Sequence, residues 1–188
     1  MKDYEQIEVT SRQDLRTWLS GHHEQSESIW LVTYKKHTGH KYVAYDDIVE
    51  EALCFGWIDS LPRKLDGDRT QLLLSPRKSK SVWSKLNKTR IEKLLKAGLI
   101  TPAGQTKIDI AKANGMWTFL DDVEALVIPN DLAECFSKMP KAKKNFEAFS
   151  DSAKKGILQW IKVAKKADTR QQRIEKTVAL AAENIKAR

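Results

Sequence analysis

The sequence has little cysteine and lacks the apolar segments of a membrane or secreted protein. Its two cysteines, Cys54 and Cys135, are each flanked by hydrophobic residues, so we expect buried free thiols rather than a disulfide. No run approaches the roughly 20 uninterrupted apolar residues that span a bilayer. Residues 1–9 lack the apolar core and small-residue cleavage site of a secretory signal. We therefore expect a cytoplasmic protein without a transmembrane segment.

The common motifs of catalysis and cofactor binding are also missing. The sequence contains no Gly-rich phosphate loop, no nucleophile elbow and no zinc-protease pattern. His37 and His40 have a spacing that suits a metal, but the other histidines are the adjacent pair His22 and His23, and no cysteine pair accompanies them. We expect neither a metal nor a cofactor, and the sequence leaves open whether the protein is an enzyme.

Acidic residues are scarce in the second part of the chain. Residues 1–75 hold 9 Lys and Arg against 13 Asp and Glu, whereas residues 76–188 hold 24 against 12. This excess of positive charge suits an anionic small molecule or a polyanion. The alternative is that lysines cover the outer faces of a helical bundle and keep it soluble. No nucleic-acid-binding motif accompanies the charge, so we do not expect specific nucleic-acid recognition.

The first half of the chain alternates helical and extended patterns. Gly56 follows a helical apolar pattern and is its natural C-terminal stop. Asp66-Gly67 supplies the positive φ angles of a tight hairpin turn, and Pro62 places the first arm of that hairpin at a sheet edge. The predicted elements are a helix over 10–21, a central strand over 28–36, a helix over 44–56 and a hairpin over 57–75.

Every signal after Pro76 is helical. We expect Ser150 and Asp168 to cap the last two helices. The fold class is therefore α+β: a small antiparallel or mixed sheet with flanking helices in the N-terminal half, and a helical bundle in the C-terminal half. Pro129-Asn130 marks the expected boundary between an α+β domain, 1–128, and a helical region, 129–188. The predicted helices cover 81–98, 101–115, 131–138, 141–149, 151–166 and 169–186.

The first candidate site is the run FGWIDS. Trp57 and Asp59 are two residues apart in an extended segment, so their side chains share one face of the strand. An acid beside an indole can act as a general base or accept a ligand amine. In the alternative interpretation, Trp57 fills the core and Asp59 pairs with Arg63 or Arg77 to hold the turn.

The second candidate site is the run PRKSKSVWSKLN, where a basic segment precedes a helix. The start of a helix leaves N–H groups unpaired and carries partial positive charge, and Arg77 lies just before it with Ser81 and Ser84 on its flank. This combination attracts anions. Trp83 adds a surface on which a planar group can stack. The alternative is an ordinary cap, a core tryptophan and solvated lysines.

The hairpin joins these two segments. Its second arm returns Arg77 to the level of Asp59, so we predict a shared recess that the indoles of Trp57 and Trp83 line, with the helix start as its floor. In that case Arg77 binds the ligand anion and Asp59 sets the pH dependence. The expected ligand-binding residues are Trp57, Asp59, Arg77, Ser81, Trp83, Ser84 and Asn87.

The segment 151–166 has an apolar face and several lysines. It resembles a helix that lies on a membrane surface, and equally a bundle helix with long basic side chains. We favour the bundle helix, so peripheral membrane contact is a minor alternative.

Seven short blocks, in order along the chain, resemble the bacterial bacteriocin-protection family, also called YdeI/OmpD-associated. The resemblance implies a role in resistance to antimicrobial peptides or to envelope stress, and it brings no reaction and no catalytic residues. The blocks are WL at 18–19, IWL at 29–31, ALCFGWID at 52–59, PRKSKSVWSKLN at 76–87, PAG at 102–104, AKANGMW at 111–117 and AKKADTRQQRI at 164–174.

Two classes of function fit these observations. The first is a stress or bacteriocin-resistance protein that binds an anionic partner or small ligand without catalysis. The second is an enzyme that acts on a small phosphorylated or carboxylated metabolite in a cleft between GWID and PRKSKSVWS. Stabilisation by one metabolite indicates the second class, and salt-sensitive binding of any polyanion indicates the first.

Overall fold

A computed structural model describes residues 4–188. Residues 1–3, which belong to the segment 1–9 that was compared with a secretory signal, lie outside the described residues. The chain divides into two compact units, Met1–Thr118 and Phe119–Arg188, which we call the sheet unit and the helical unit. The α+β fold class is confirmed, with the strands in the first unit and helices in both. The unit boundary falls ten residues before the expected division at 128/129, which stays a prediction.

The sheet unit is built on four strands in the order β1-β2-β4-β3. The β1–β2 pair is parallel and the other pairs are antiparallel, so the sheet is mixed. The predicted central strand is β2, while β1 is a strand that the sequence did not predict. Their bounds are β1 Gln6–Glu8, β2 Ile29–Tyr34, β3 Trp57–Lys64 and β4 Arg69–Pro76; the helices are α1 Arg12–His22, α2 Tyr45–Cys54, α3 Lys85–Lys96 and α4 Pro102–Ala113, with a 3-10 turn over Lys36–Lys41.

The predicted hairpin is confirmed as β3 and β4, but the expected positive φ angles at Asp66-Gly67 are wrong. The turn is instead held by Asp66 Oδ1, which accepts hydrogen bonds from the backbone N–H groups of Asp68 and Arg69. Trp57 lies opposite Pro76 and Asp59 opposite Leu74, and the register shifts between Asp59 and Pro62. The strand β3 is at the sheet edge, where Pro62 can be accommodated because no neighbouring strand needs its missing N–H.

One face of the sheet carries the core of this unit. Ile29 pairs with Leu74 and Leu31 with Leu72, and all four side chains are buried. Burying each such side chain stabilises the fold by roughly 1.5–3 kcal/mol. The same cluster includes residues of the four helices, so helices and sheet share one core.

The end of α2 packs closely against the start of α4. Gly56 has a φ of +73°, which confirms that it occupies a conformation few other residues adopt. The carbonyl oxygen of Cys54 accepts hydrogen bonds from Thr101 N at 3.1 Å and Thr101 Oγ1 at 2.7 Å. A Cβ atom on Gly104 would lie 2.2 Å from that same oxygen, so only glycine fits there.

The helical unit is a small bundle whose core contains Phe136, Phe146 and Ile161. The prediction that Ser150 caps a helix is confirmed, because its Oγ accepts a hydrogen bond from Ala153 N. The prediction for Asp168 is wrong, because the last helix begins at Ala167, two residues before its predicted start at 169. Asp168 lies in the first turn, where a negative charge still favours the helix start. The helices are α5 Asp121–Glu124, α6 Asn130–Ser137, α7 Pro140–Ala148, α8 Asp151–Lys162 and α9 Ala167–Ala182.

Both cysteines are free thiols. Cys54 is buried, and burial raises its pKa to about 11. Cys135 is only half-buried, so the expectation of burial is wrong for this residue. Within residues 4–188 no helix is long and apolar enough to cross a membrane, and no group of three or more His, Cys, Asp or Glu side chains is arranged to hold a metal ion.

Candidate anion-binding site around Arg77

The backbone of Arg77 is fixed by the end of the hairpin. Its N–H donates to the carbonyl oxygen of Gly56 at 2.9 Å, one step beyond the last paired residues of β3 and β4. Residues 77–84 then run without helix or strand to Ser84, the N-cap of α3. The site therefore lies where the sheet ends and a 12-residue helix begins.

The side chain of Arg77 is buried, with 2% of its surface exposed. Its guanidinium carbon lies 3.7 Å from the ring centroid of Trp83, and Nη1 donates to the carbonyl oxygen of Val82 at 3.0 Å. Among the described residues, 4–188, no acceptor contacts Arg77 Nε or Nη2, and none contacts Trp83 Nε1. The cation thus has a ring beneath it and one carbonyl beside it, and its other donors are unused.

Burial governs the electrostatics of this guanidinium. Removal from water lowers the pKa of Arg77 to about 10, and the negative charge of Asp59 opposes that shift in part. Arg77 therefore stays charged at neutral pH. Buried polar groups are nearly always hydrogen-bonded, and buried charges are nearly always paired. Water or a bound anion is the kind of acceptor that satisfies such donors.

The polar residues of the predicted site take part in local structure. Ser81 Oγ accepts a hydrogen bond from Lys78 N at 3.2 Å and closes a turn. Ser84 Oγ accepts from Asn87 N at 3.3 Å, so Ser84 is the helix cap. The Asn87 side chain is itself engaged, since its Oδ1 accepts from Arg90 at 2.9 Å. These three side chains shape the segment beside Arg77.

A second tryptophan of this region was missed as a site residue. Trp117 is half-buried, and its ring centroid lies 5.0 Å from that of Trp83. Lys112 Nζ lies 5.4 Å and Lys88 Nζ 6.0 Å from the Trp117 ring centroid. The sequence pattern that could have indicated Trp117 is AKANGMW, in which a tryptophan follows Gly115 at the end of a helix. Trp117 thus offers a partly open indole with cations near it.

Trp57 lies in the hydrophobic core and not at a rim. It is fully buried, its Nε1 donates to the carbonyl oxygen of His23 at 3.1 Å, and Trp18 meets it edge to face at 5.8 Å. Trp83 is 1% exposed. Neither indole has an open face, so in the described structure neither forms the wall of an open recess.

Asp59 belongs to a different part of the sheet unit. One of its carboxylate oxygens, Oδ2, accepts a hydrogen bond from the hydroxyl of Tyr45 at 2.6 Å. Burial and this bond raise the pKa of Tyr45 to about 12, so the phenol stays protonated and is no base at neutral pH. The structure therefore brings Arg77 and Trp83 into contact, whereas Ser81, Ser84 and Asn87 make local bonds in the segment that follows Arg77. The Trp57 indole is part of the core, and Asp59 acts on Arg77 through its charge.

Two family models match the chain. The model described as Domain of unknown function (DUF8412) matches residues 7–107, and the model described as Bacteriocin-protection, YdeI or OmpD-Associated matches residues 125–184. Of the seven blocks that resemble the bacteriocin-protection family, only 164–174 lies within the second match. Five of the others lie within the first match, and 111–117 lies between the two. Searches of curated proteins and of solved structures give no significant match.

Proposed function

The chain belongs to the DUF8412 family, and its residues 125–184 match the bacteriocin-protection, YdeI or OmpD-associated family. We propose that it is a bacterial stress or bacteriocin-resistance protein. We further propose that its sheet unit binds a small anion at Arg77. Binding rather than catalysis is the proposed activity.

The observation that carries this proposal is the buried Arg77 with unused donors. A guanidinium has five N–H donors in a planar fork that matches carboxylate and phosphate oxygens. Nε and Nη2 lie on one side of that fork, and both lack a partner among the described residues. An oxyanion on this side would receive two parallel hydrogen bonds and neutralise the buried charge.

The surroundings favour a small anion over a polymer. With 2% of its surface exposed, Arg77 is out of reach of a polyanion backbone that stays in solvent. Lys78 and Lys80 are exposed on the irregular segment next to Arg77, where they attract anions towards it. Trp117, with Lys88 and Lys112 near its ring, suits a planar group attached to the anion.

Thermal unfolding in a phosphate-free buffer, with added phosphate, sulfate, glucose 6-phosphate or AMP at constant ionic strength, tests the proposal. The critical variant is Arg77→Met, which keeps an unbranched chain over Trp83 and removes the charge. Arg63→Met is its matched control, because the Arg63 guanidinium also stacks on a tryptophan, 4.5 Å from the Trp30 ring centroid.

We expect at least one anion to raise the unfolding temperature of the wild type and of Arg63→Met, but not that of Arg77→Met. Without anion, Arg77→Met should be as stable as the wild type or more stable, by up to roughly 3 kcal/mol, because a buried unpaired charge is lost. An equal anion response in Arg77→Met would refute the proposal. Chemical conversion of the added metabolite would instead indicate the enzyme that the sequence left as an alternative.

A further inference from the structure

A cavity of about 490 Å³ opens in the sheet unit. It is lined by the first turn of α2, by the start of the turn over Lys36–Lys41 and by residues of β2, β3 and β4. Its lining comprises Thr33, Tyr34, Lys35, Lys36, Tyr42, Val43, Tyr45, Ile48, Asp59, Ser60, Pro62, Thr70, Gln71 and Leu72.

Aromatic rings dominate the mouth of this cavity. Tyr42 is 40% exposed and Tyr45 is 52% exposed, although large aromatic side chains are usually more buried. Val43, Ile48 and Leu72 supply an apolar floor and are themselves buried. A concave apolar site with a few polar groups is the usual form of a small-molecule site.

The cavity offers its carboxylate for one further bond. Asp59 Oδ2 is occupied by the Tyr45 hydroxyl at 2.6 Å, which fixes the carboxylate and leaves Oδ1 for a ligand donor. Lys35 is turned away, since its Nζ donates to the carbonyl oxygens of Asp66 and Gly67 at 2.7 Å each. Lys36 is exposed, and its long side chain can keep its charge in water.

We propose that this cavity binds a small organic cation, namely a protonated amine on an aromatic or aliphatic body. The ammonium group donates to Asp59 Oδ1 and faces the tyrosine rings, whose π electrons attract cations. The body of the ligand packs on Val43, Ile48 and Leu72. The lining includes neither Arg77 nor Trp83, so the ligand here is a different one, although the charge of Asp59 also acts on Arg77.

Three probes of one shape and different charge test the inference: benzylammonium, benzyl alcohol and benzoate, titrated by calorimetry at pH 7 and constant ionic strength. The variants are Asp59→Asn, which keeps the shape of the side chain, and Tyr42→Ala, which removes an exposed ring. Asp109→Asn is the matched control, because it makes the same charge change at an exposed helix position outside the lining.

We expect the wild type and Asp109→Asn to bind benzylammonium at least about tenfold more tightly than benzyl alcohol, and benzoate least. Asp59→Asn should lose that preference, and Tyr42→Ala should weaken benzylammonium by several-fold. The inference is overturned if benzylammonium does not bind the wild type, if the three probes bind equally, or if Asp59→Asn keeps the preference. If Asp59→Asn fails to fold, the charge preference in the wild type and its reduction in Tyr42→Ala decide the question.

Discussion

Both units contain ion pairs near the surface, and they differ in one buried cation of the sheet unit. In the helical unit Arg170 binds Asp131 at 2.6 Å and Lys162 binds Asp122 at 2.5 Å, both near the surface. In the sheet unit the most buried cation, Arg77, contacts a ring and one carbonyl. Paired charges near the surface contribute little to stability. A buried unpaired charge destabilises the fold, and natural proteins keep such unfavourable groups mainly at functional sites.

This difference separates the two sources of functional information. The match to the bacteriocin-protection family lies in residues 125–184, whereas both candidate ligand sites lie within the sheet unit. The match to a family with a named role therefore lies in the helical unit, and both proposed ligand sites lie in the sheet unit. Variants that act on one unit and spare the other are the direct way to examine this division.

The largest expected effect comes from a single added methyl group in the sheet unit. Gly104→Ala places a Cβ atom 2.2 Å from the Cys54 carbonyl oxygen, so α4 must move away from α2, and we expect a loss of roughly 3 kcal/mol or more in the free energy of unfolding. Gly156→Ala is the matched variant in α8, where an added Cβ has no atom within 4 Å among the described residues. It should stabilise by roughly 0.5–1 kcal/mol. Urea unfolding measures both, and equal effects would contradict the close packing of α4 on α2.

Gly56→Val should have the next largest effect. Its φ of +73° disfavours a β-branched residue, and its Cβ would lie 2.6 Å from Lys107 Cγ. Because that Lys107 side chain can shift, we expect a loss of roughly 2 kcal/mol, smaller than for Gly104→Ala. Thermal unfolding followed by circular dichroism measures the loss. An unchanged unfolding temperature would mean that the backbone at Gly56 can adopt another conformation.

The glycines illustrate what the sequence could and could not predict. Gly56 was predicted as a helix stop because it ends an apolar helical pattern, which is local information. No local pattern shows that position 104 must be glycine, because the atom that excludes a side chain there is the carbonyl oxygen of Cys54, 50 residues earlier in the chain. The strand β1 was missed for the same reason: three residues show no period, and only pairing with β2 makes them a strand.

Two carboxylates, one in each unit, allow the stability of the units at acidic pH to be compared. Burial alone would raise the pKa of Glu50, but hydrogen bonds from Lys93 and Arg12 outweigh it, so the pKa lies below its ordinary value of 4.5. A lowered carboxyl pKa stabilises the fold above the unfolded-state pKa, and that contribution is lost as pH falls below about 4.5. Glu50→Gln should lower the free energy of unfolding by roughly 1–2 kcal/mol at pH 7 and flatten its dependence on pH between pH 5 and pH 3.

Asp131→Asn is the corresponding variant in the helical unit. The bond from Arg170 also lowers the pKa of Asp131, but 41% of the Asp131 side chain is exposed, so solvent screens the pair. We expect a cost below roughly 1 kcal/mol. Urea unfolding across the same pH range compares the two carboxylates. A larger effect at Asp131 than at Glu50 would mean that exposure does not decide the strength of these two ion pairs.

The smallest expected effect is on polyanion binding. Replacing Lys154, Lys155, Lys165 and Lys166 by Gln should weaken retention on heparin and flatten its salt dependence. Lys154 already pairs with Asp151 at 3.1 Å and Lys155 with Glu124 at 2.9 Å, so the change should be smaller than four free charges would give. The comparison is a sheet-unit variant with Lys78, Lys80, Lys93 and Lys96 replaced by Gln. Unchanged retention in the first variant would mean that its lysines serve solubility alone.

The candidate site was predictable in its location and not in its arrangement. The basic run from Arg77 and the following helix start are visible in the residues themselves, and Ser84 caps α3 within the predicted segment. The burial of the two indoles involves partners far away in sequence, Trp18 against Trp57 and Trp117 against Trp83. A tryptophan two residues from an acid has the same pattern whether it faces a ligand or the core.

The sheet described above also bears on how the protein behaves at high concentration. An edge strand can recruit a strand from another copy, and that reaction is a route to aggregation. Here one edge is β1, three residues long, and the other is β3, whose Pro62 lacks an N–H and whose register shifts between Asp59 and Pro62. A β-bulge and a proline both interrupt the row of donors that an incoming strand would need. Neither edge is therefore a good template, and edge-to-edge polymerisation is disfavoured.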